Sequence, residues 1–408
     1  MSSPASTLPR AFNRLAWSNL TAQSAEQIGL AAAPIVAVFA LGAGAGETGL
    51  LQMAQTLPFL ILSIPAGILA DRTSRRRLMA VAEGVRAASL IAILILAGTG
   101  LLSLPLLALL GFVGAAGTVG YSVAAPSLVP SLVSRAALAA ANGRIELARS
   151  VAFAAGPALA GALVGTLGAS PAFALAAALS VFAVTLLLGL VEPPRQPLPP
   201  RHPGRDLAEG ANFVFGHKLL RSVLLTAIVF NTAFVMMQAI YVPYAVQKLG
   251  LSPTAIGATL AAYGVGMVVG ALAVSRLAKF VTFGTLIAIG PIAGLAASLS
   301  MLATIWMPSV LLAALSFFLI GAGPVIWVIS TTTLRQAVTP EVLLGRVSAL
   351  ILMATWGARP IGAGLAAVIG GVYGAETCLA VATIGFAIQA AVILTSPVPR
   401  LVRQPGLA

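Results

Sequence analysis

The sequence predicts an all-α membrane protein of twelve transmembrane helices in two pseudo-symmetric six-helix bundles, and three observations carry that prediction. Of the 408 residues, 59% are hydrophobic and 8% are charged, where roughly a quarter are charged in an ordinary soluble domain. Runs such as 89–113, 158–191, 255–274 and 377–395 hold almost no ionisable side chain. They approach or exceed the ~20 apolar residues that cross a ~30 Å hydrocarbon core. Finally, marks in the first half of the chain recur about half a chain later.

Apolar runs between polar turns place spans near 14–41, 49–70, 76–98, 104–129, 137–167, 171–190, 220–246, 253–275, 281–305, 308–333, 344–369 and 376–396. Charge then orients them. The tails and even-numbered connections carry Arg10, Arg72, Arg75, Arg76, Arg77, Arg135, Arg195, Arg201, Arg205, Lys218, Lys279, Arg335, Arg400 and Arg403, whereas the odd-numbered connections carry Lys248. The positive-inside rule puts both termini in the cytoplasm, which requires an even number of crossings of the cytoplasmic (inner) membrane. No short apolar core with a small-residue cleavage site opens the chain, so the first span is expected to be retained.

Segment 192–218 is the long polar interruption, and its proline-rich first half cannot be helical. It separates an N-terminal bundle (1–191) from a C-terminal bundle (219–408). From Asp206 its second half has an acidic start, apolar Leu207, Phe213 and Phe215 and a basic end at Lys218, which suits a short helix on the cytoplasmic surface. The halves repeat. Gly143-Arg144 with Gly156-Pro157 and Gly161 is matched by Gly345-Arg346 with Arg359-Pro360 and Gly364, and Gly67–Asp71 falls over Gly270–Val274. Six-span repeats around a midplane site are a transporter design.

Between spans two and three stands Gly67-Ile-Leu-Ala-Asp71-Arg72-Thr-Ser-Arg75-Arg76-Arg77. This resembles the cytoplasmic-loop signature of the major facilitator superfamily, with Ser74 in place of a frequent glycine. Leu57-Pro58-Phe59, Ala141-Asn142-Gly143 and Gly345-Arg346-Val347 are similar to the branch that includes the enterobactin exporter and macrolide-type drug exporters. The resemblance implies a two-bundle fold with alternating access, and the branch implies export. Physically, Gly67 permits close helix approach, and Asp71 can face the positive N-terminal end of a span in the other half, forming a cytoplasmic latch. In the second half Val274 and Ser275 replace Asp71 and Arg72, so a latch there is weaker or absent. Gly156-Pro157-Ala-Leu-Ala-Gly161 resembles part of the superfamily's antiporter signature. A Gly-Pro step also bends a helix, and small flanking residues let bundles approach.

Most of the ten acidic residues lie in loops, in the latch, or beside an arginine three residues on (Glu83 and Arg86, Glu146 and Arg149). Glu26 differs: it sits ~20 Å along the first helix with no basic residue within a turn, which makes it a proton-coupling candidate. The other reading is a static polar network. Asn19, Gln23, Glu26 and Gln27 share one helical face that cannot look at lipid. By the resemblance, spans one, four, seven and ten line the translocation path, so Tyr121, Asn231, Gln238, Tyr241 and Trp327 join the stripe as substrate-lining candidates. Arg359 in span eleven has no acid near in sequence; it could meet Glu26, select an anion, or anchor its helix.

The net charge of +13 comes from scattered basic residues without aromatic platforms, so nucleic acid is not an expected partner. One cysteine, Cys378, and two histidines, His202 and His217, leave no metal site in prospect. Neither a phosphate-binding Gly-x4-Gly-Lys loop nor a paired catalytic constellation occurs within the spans, so no enzyme activity is expected. The sequence thus points to a secondary transporter, monomeric in the bilayer and without cofactor. Its expected task is proton-driven export of small amphipathic molecules, drugs or siderophore-like metabolites; an uncoupled facilitator or lipid flippase of the same fold is the alternative.

Overall fold

The computed structural model describes residues 9–134, 137–192 and 203–405, apart from the side chains of Asp71, Ser127, Ala139, Pro203, Asp206 and Glu341. Among the described residues every regular element is helical: α1 Arg10–Leu41, α2 Ala45–Arg72, α3 Arg75–Gly98, α4 Leu104–Leu132, α5 Leu138–Leu167, α6 Ala169–Leu188, α7 Pro203–Gly216, α8 Lys218–Gln247, α9 Pro253–Leu277, α10 Phe283–Ala303, α11 Val310–Val338 and α12 Glu341–Leu394, then a 3-10 turn at Val398–Arg400.

Eleven of these helices are long and apolar enough to cross a membrane. The last holds two crossings. A straight helix of its 54 residues would be about 80 Å long, but Gly374 breaks it with φ 84° and ψ 167°, a conformation that a side chain disfavours. The arms, 341–373 and 375–394, are the eleventh and twelfth spans. The expected boundaries of 344–369 and 376–396 stop short at the first arm, where the chain stays helical through Gly370 and Gly371 to the break.

Short polar residues start several of the spans. Ser252, Thr282 and Ser309 each accept a hydrogen bond from a backbone N–H three residues on, and Gly42 ends α1 in the left-handed region. Large apolar side chains such as Val81, Leu167 and Leu311 point outward, where a bilayer receives them.

Helices α1–α6 pack into one bundle, with α1 against α5 and α6 and α3 against α4 and α6; α8–α12 form the other, with α8 against α12 and α11 between α9 and α10. The bundles meet along α2 with the first arm of α12 and along α5 with α9. Both seams run through glycine near the odd-numbered connections. A Cβ on Gly49 would lie 2.5 Å from the Ala367 backbone, and one on Gly161 2.7 Å from Gly257 Cα. Nearer the termini, a Cβ on Gly67 would reach Val123 of its own bundle, and one on Gly143 or Gly345 would meet nothing within 4 Å. The two halves are therefore sealed at one end and part toward the end that bears the termini.

The linker's second half is helical from Pro203, three residues before the expected start. Val214 of α7 is fully buried with Leu220, Leu224, Val347 and Leu350, and Glu209 pairs with Arg346 and, at 3.2 Å, with Arg205. At the opposite, sealed end Lys248 donates to Glu376 across 2.7 Å, and that carboxylate raises the ammonium's pKa above the usual lysine value.

Candidate functional site

Between the bundles lies a cavity of about 280 Å³ lined by both halves. From the N-terminal bundle, α1 contributes Glu26 and Gln27, α2 Gln52, Gln55, Thr56 and Phe59, α3 Arg86 and Ser89, and α5 Arg149 and Phe153. The C-terminal bundle answers with Phe234, Gln238, Tyr241, Tyr263, Phe317, Trp356 and Arg359. The lining is thus aromatic and apolar with a few convergent polar groups, the composition of a small-molecule site.

The N-terminal wall is organised by Arg86. Its Nε donates to Glu83 Oε1 at 3.2 Å and its Nη2 to Glu83 Oε2; its Nη1 donates to Thr118 Oγ1 at 3.0 Å and, more distantly, to Glu26 Oε2 at 3.4 Å. Ser180 donates to Glu83 from α6. Glu83 has no solvent exposure and stands behind the cavity wall, whereas the Glu26 side chain keeps 18% and lines the cavity. One arginine therefore serves two carboxylates, tightly on the hidden side and loosely on the open side. This corrects the expectation that Glu26 is unpaired: an acid without a basic neighbour on its own helix finds one on α3.

The C-terminal wall is organised by Arg359. Its Nε donates to Asn231 Oδ1 at 3.1 Å, and Asn231 is oriented by its own donation to Ala227 O at 2.9 Å. The guanidinium carbon stands 4.0 Å from the centre of the Trp356 ring. That ring stacks on Phe59 with centroids 4.2 Å apart, so the layer Phe59, Trp356, Arg359 crosses from one bundle to the other. Beside it Tyr263 lies 5.8 Å from Phe153 and 6.0 Å from Phe234, a second aromatic bridge between the halves.

Of the residues singled out from sequence, Glu26, Gln27, Gln238, Tyr241 and Arg359 line the cavity. Asn19, Gln23, Tyr121, Asn231 and Trp327 do not. Tyr121 is buried inside the N-terminal bundle, 3.4 Å from Ser18 Oγ, and Asn19 of α1 is buried as well. Trp327 fills the contact of α11 with Gly290 of α10, and Asn231 stands behind Arg359 as its acceptor. Tyr241 donates or accepts at Thr259, 2.5 Å away, with Phe317 edge-on. Arg359 and Glu26 face the same space without forming an ion pair.

Ser74 and Arg76 of the basic loop bond to the end of α6 and the residues after it. Ser74 Oγ and the Arg75 and Arg76 amides donate to Glu192, which caps α3, and Arg76 Nη1 donates to the Leu188 and Leu190 carbonyls that end α6. Arg72 and Arg77 are exposed. The Asp71 side chain, on which the expected latch depends, lies outside the described residues. Gly156 and Pro157 place α5 against α1 and the cavity, while Gly161 lies in the α5–α9 seam; Pro360 is buried in α12, and a Cβ on Gly364 would meet Met53.

Gln52, Gln55, Thr56 and Phe59 line the cavity without being among the cavity residues expected from sequence, where Phe59 figures only in the branch resemblance. They recur at i, i+3, i+4 and i+7 on one face of α2, a stripe as readable as that of α1. Arg149 was read as a local pair with Glu146, and it does pair at 2.6 Å, yet it also lines the cavity.

The family described as transmembrane secretion effector matches residues 11–404, nearly the whole chain. The chain belongs to that family of major facilitator transporters. It is 29% identical over 289 residues to the enterobactin exporter EntS of Escherichia coli O1:K1, covering 70% of this chain and 67% of that one, and 29% identical over 291 residues to EntS of Citrobacter koseri. Among solved structures it is similar to the nucleoside transporter NupG, with a TM-score of 0.76 at 12% identity over 95% of this chain and 98% of the other. It is also similar to a bacterial homologue of the human lysosomal transporter Spinster, with a TM-score of 0.71 at 14% identity over 96% and 98%. Like these, this secretion-effector chain is a multi-pass membrane transporter, and its chemistry is movement rather than bond-breaking.

Proposed function

We propose that the protein exports small amphipathic molecules, siderophore-like metabolites or drug-like compounds, across the inner membrane by alternating access, exchanging them for protons at Glu26. The observation that carries this reading is the cavity shared by two bundles that touch at one end and part at the other. With the termini and the arginine-rich turns on the cytoplasmic side, the opening faces the cytoplasm, where a substrate for export would enter. The kinship with EntS supports outward transport.

The arrangement around Arg86 suits proton exchange. Protonating Glu26 removes one long ion pair, and Arg86 remains neutralised by Glu83, so no bare charge is left within the membrane. Protonating Glu83 would break the tight pair in the dry interior. The cavity-facing, partly exposed acid is therefore the one that can exchange its proton as the bundles rock, and the proton gradient biases which state dominates. In everted vesicles with an imposed pH gradient, wild type accumulates substrate and Glu26→Gln loses the dependence on the gradient. Glu26→Gln transport as gradient-driven as wild type removes Glu26 from this role. Flux in wild type that ignores the gradient favours the uncoupled facilitator or lipid flippase.

A further inference from the structure

We infer that Arg359 is the anion-binding subsite of the cavity, and that the substrate is an organic anion whose negative group lies beside a planar aromatic ring. The inference rests on the export reading above and narrows its substrate class.

The bonding of Arg359 is one-sided. Asn231 occupies Nε and Trp356 covers one face of the guanidinium. Among the described residues no carboxylate pairs with it, and neither Nη group has a hydrogen-bond partner. Yet the side chain lines the cavity at the level of Trp356 and Tyr263. An arginine stays charged under all physiological conditions. A cation inside a membrane span without a counter-ion is costly unless a partner or water meets it, and here the two Nη groups without a protein acceptor belong to a side chain that lines the cavity. Two parallel N–H donors in a fixed plane match the two oxygens of a carboxylate, or two of the oxygens of a sulfonate. Asn231 and the Phe59–Trp356 stack hold that plane still, so little side-chain entropy is lost when an anion docks.

The remainder of the lining agrees. Of the three arginines that line the cavity, Arg86 is held by Glu83 and Glu26 and Arg149 by Glu146, which leaves Arg359 as the one without a carboxylate partner among the described residues. An anion finds Arg359, and Phe153, Tyr263 and Phe234 form an aromatic wall on which its ring can stack.

The test uses the full-length protein in lipid nanodiscs and three probes of one shape: 2-naphthoate, the neutral 2-naphthamide and the cationic 2-naphthylmethylammonium. Calorimetric titration should show naphthoate binding on the order of tenfold or more tighter than the amide, the worth of hydrogen bonds to a charged group, with the ammonium weakest. Arg359→Gln should bring naphthoate down to the affinity of the amide, while Arg359→Lys keeps part of the preference. The wild-type charge series needs no substitution, so a misfolded variant does not spoil the test. Equal binding of the three probes, preference for the ammonium, no naphthoate binding at millimolar concentration, or an unchanged preference in Arg359→Gln each overturns the assignment. Efflux from proteoliposomes separates the two readings. Export of the neutral or cationic probe with no preference for naphthoate leaves export standing and removes the anion subsite; naphthoate bound through Arg359 but never moved does the reverse.

Discussion

At the scale of single residues, the strongest determinants are charges that the sequence places among apolar neighbours and the fold then pairs. Arg86 is 4% exposed and Glu83 not at all. Removing one member of such a pair strands the other, and the usual cost is about 3–5 kcal/mol. Arg86→Gln is therefore expected to lower the melting temperature in detergent severely. Glu26→Gln, which gives up a single 3.4 Å contact at a partly open position, should cost under about 1.5 kcal/mol. A melt in which the two substitutions are equally damaging would show that Glu26 carries as much of Arg86's charge as Glu83 does. The Glu83–Arg86 pair was legible along one helix because i,i+3 neighbours meet on a helix face. The third partner was not, since Glu26 and Arg86 lie 60 residues apart.

At the scale of elements, the seams between bundles are made of backbone against backbone. Gly46 and Gly49 face Gly371 and Ala367, and Gly161 and Gly165 face Pro253, Thr254 and Gly257. Leucine at Gly49 or Gly161 has nowhere to go, and inserting such bulk into a packed contact costs about 1–3 kcal/mol. That cost falls on the sealed state, so the population shifts toward one in which this end is open. A cysteine placed in the seam at Ala367 should then label from the periplasm faster in Gly49→Leu or Gly161→Leu than in their absence; unchanged labelling would mean that the seam does not separate during the cycle. Helix α7 is the second element with a clear role. Glu209 binds Arg346 and Arg205, and Val214 is buried against α8 and α12, so the helix belongs mechanically to the C-terminal bundle. Glu209→Lys sets a third positive charge beside those arginines and should release α7 to limited proteolysis while the spans stay folded. The amphipathic character of this helix was readable from Leu207, Phe213 and Phe215. Its docking surface was not, because it is formed where Arg346, Val347 and Leu350 come together with Leu220 and Leu224.

At the scale of the whole molecule, charge, count and repeat converge on one architecture. Twelve crossings follow from eleven long helices and the break at Gly374. The basic residues gather at the end where the bundles part, so reporters fused to either terminus should signal from the cytoplasm; a periplasmic signal at either end would reverse the assigned direction of the opening. Composition and loop charge determined the membrane solvent, the number of spans and their expected orientation, because lipid penalises every charge that is not at a surface or paired. The half-chain repeat determined the two bundles, because duplicated segments bury equivalent faces. Tertiary structure decided the rest: that Glu26 is partnered, that Asn19, Gln23, Tyr121 and Trp327 lie away from the cavity while Gln52, Gln55 and Phe59 line it, and that Arg359 stands stacked and half-bonded at its wall. A polar residue in an apolar span must turn from lipid, but it can turn toward a neighbouring helix or toward the central space with equal satisfaction. Which of the two it meets depends on how helices from distant parts of the chain rotate against one another.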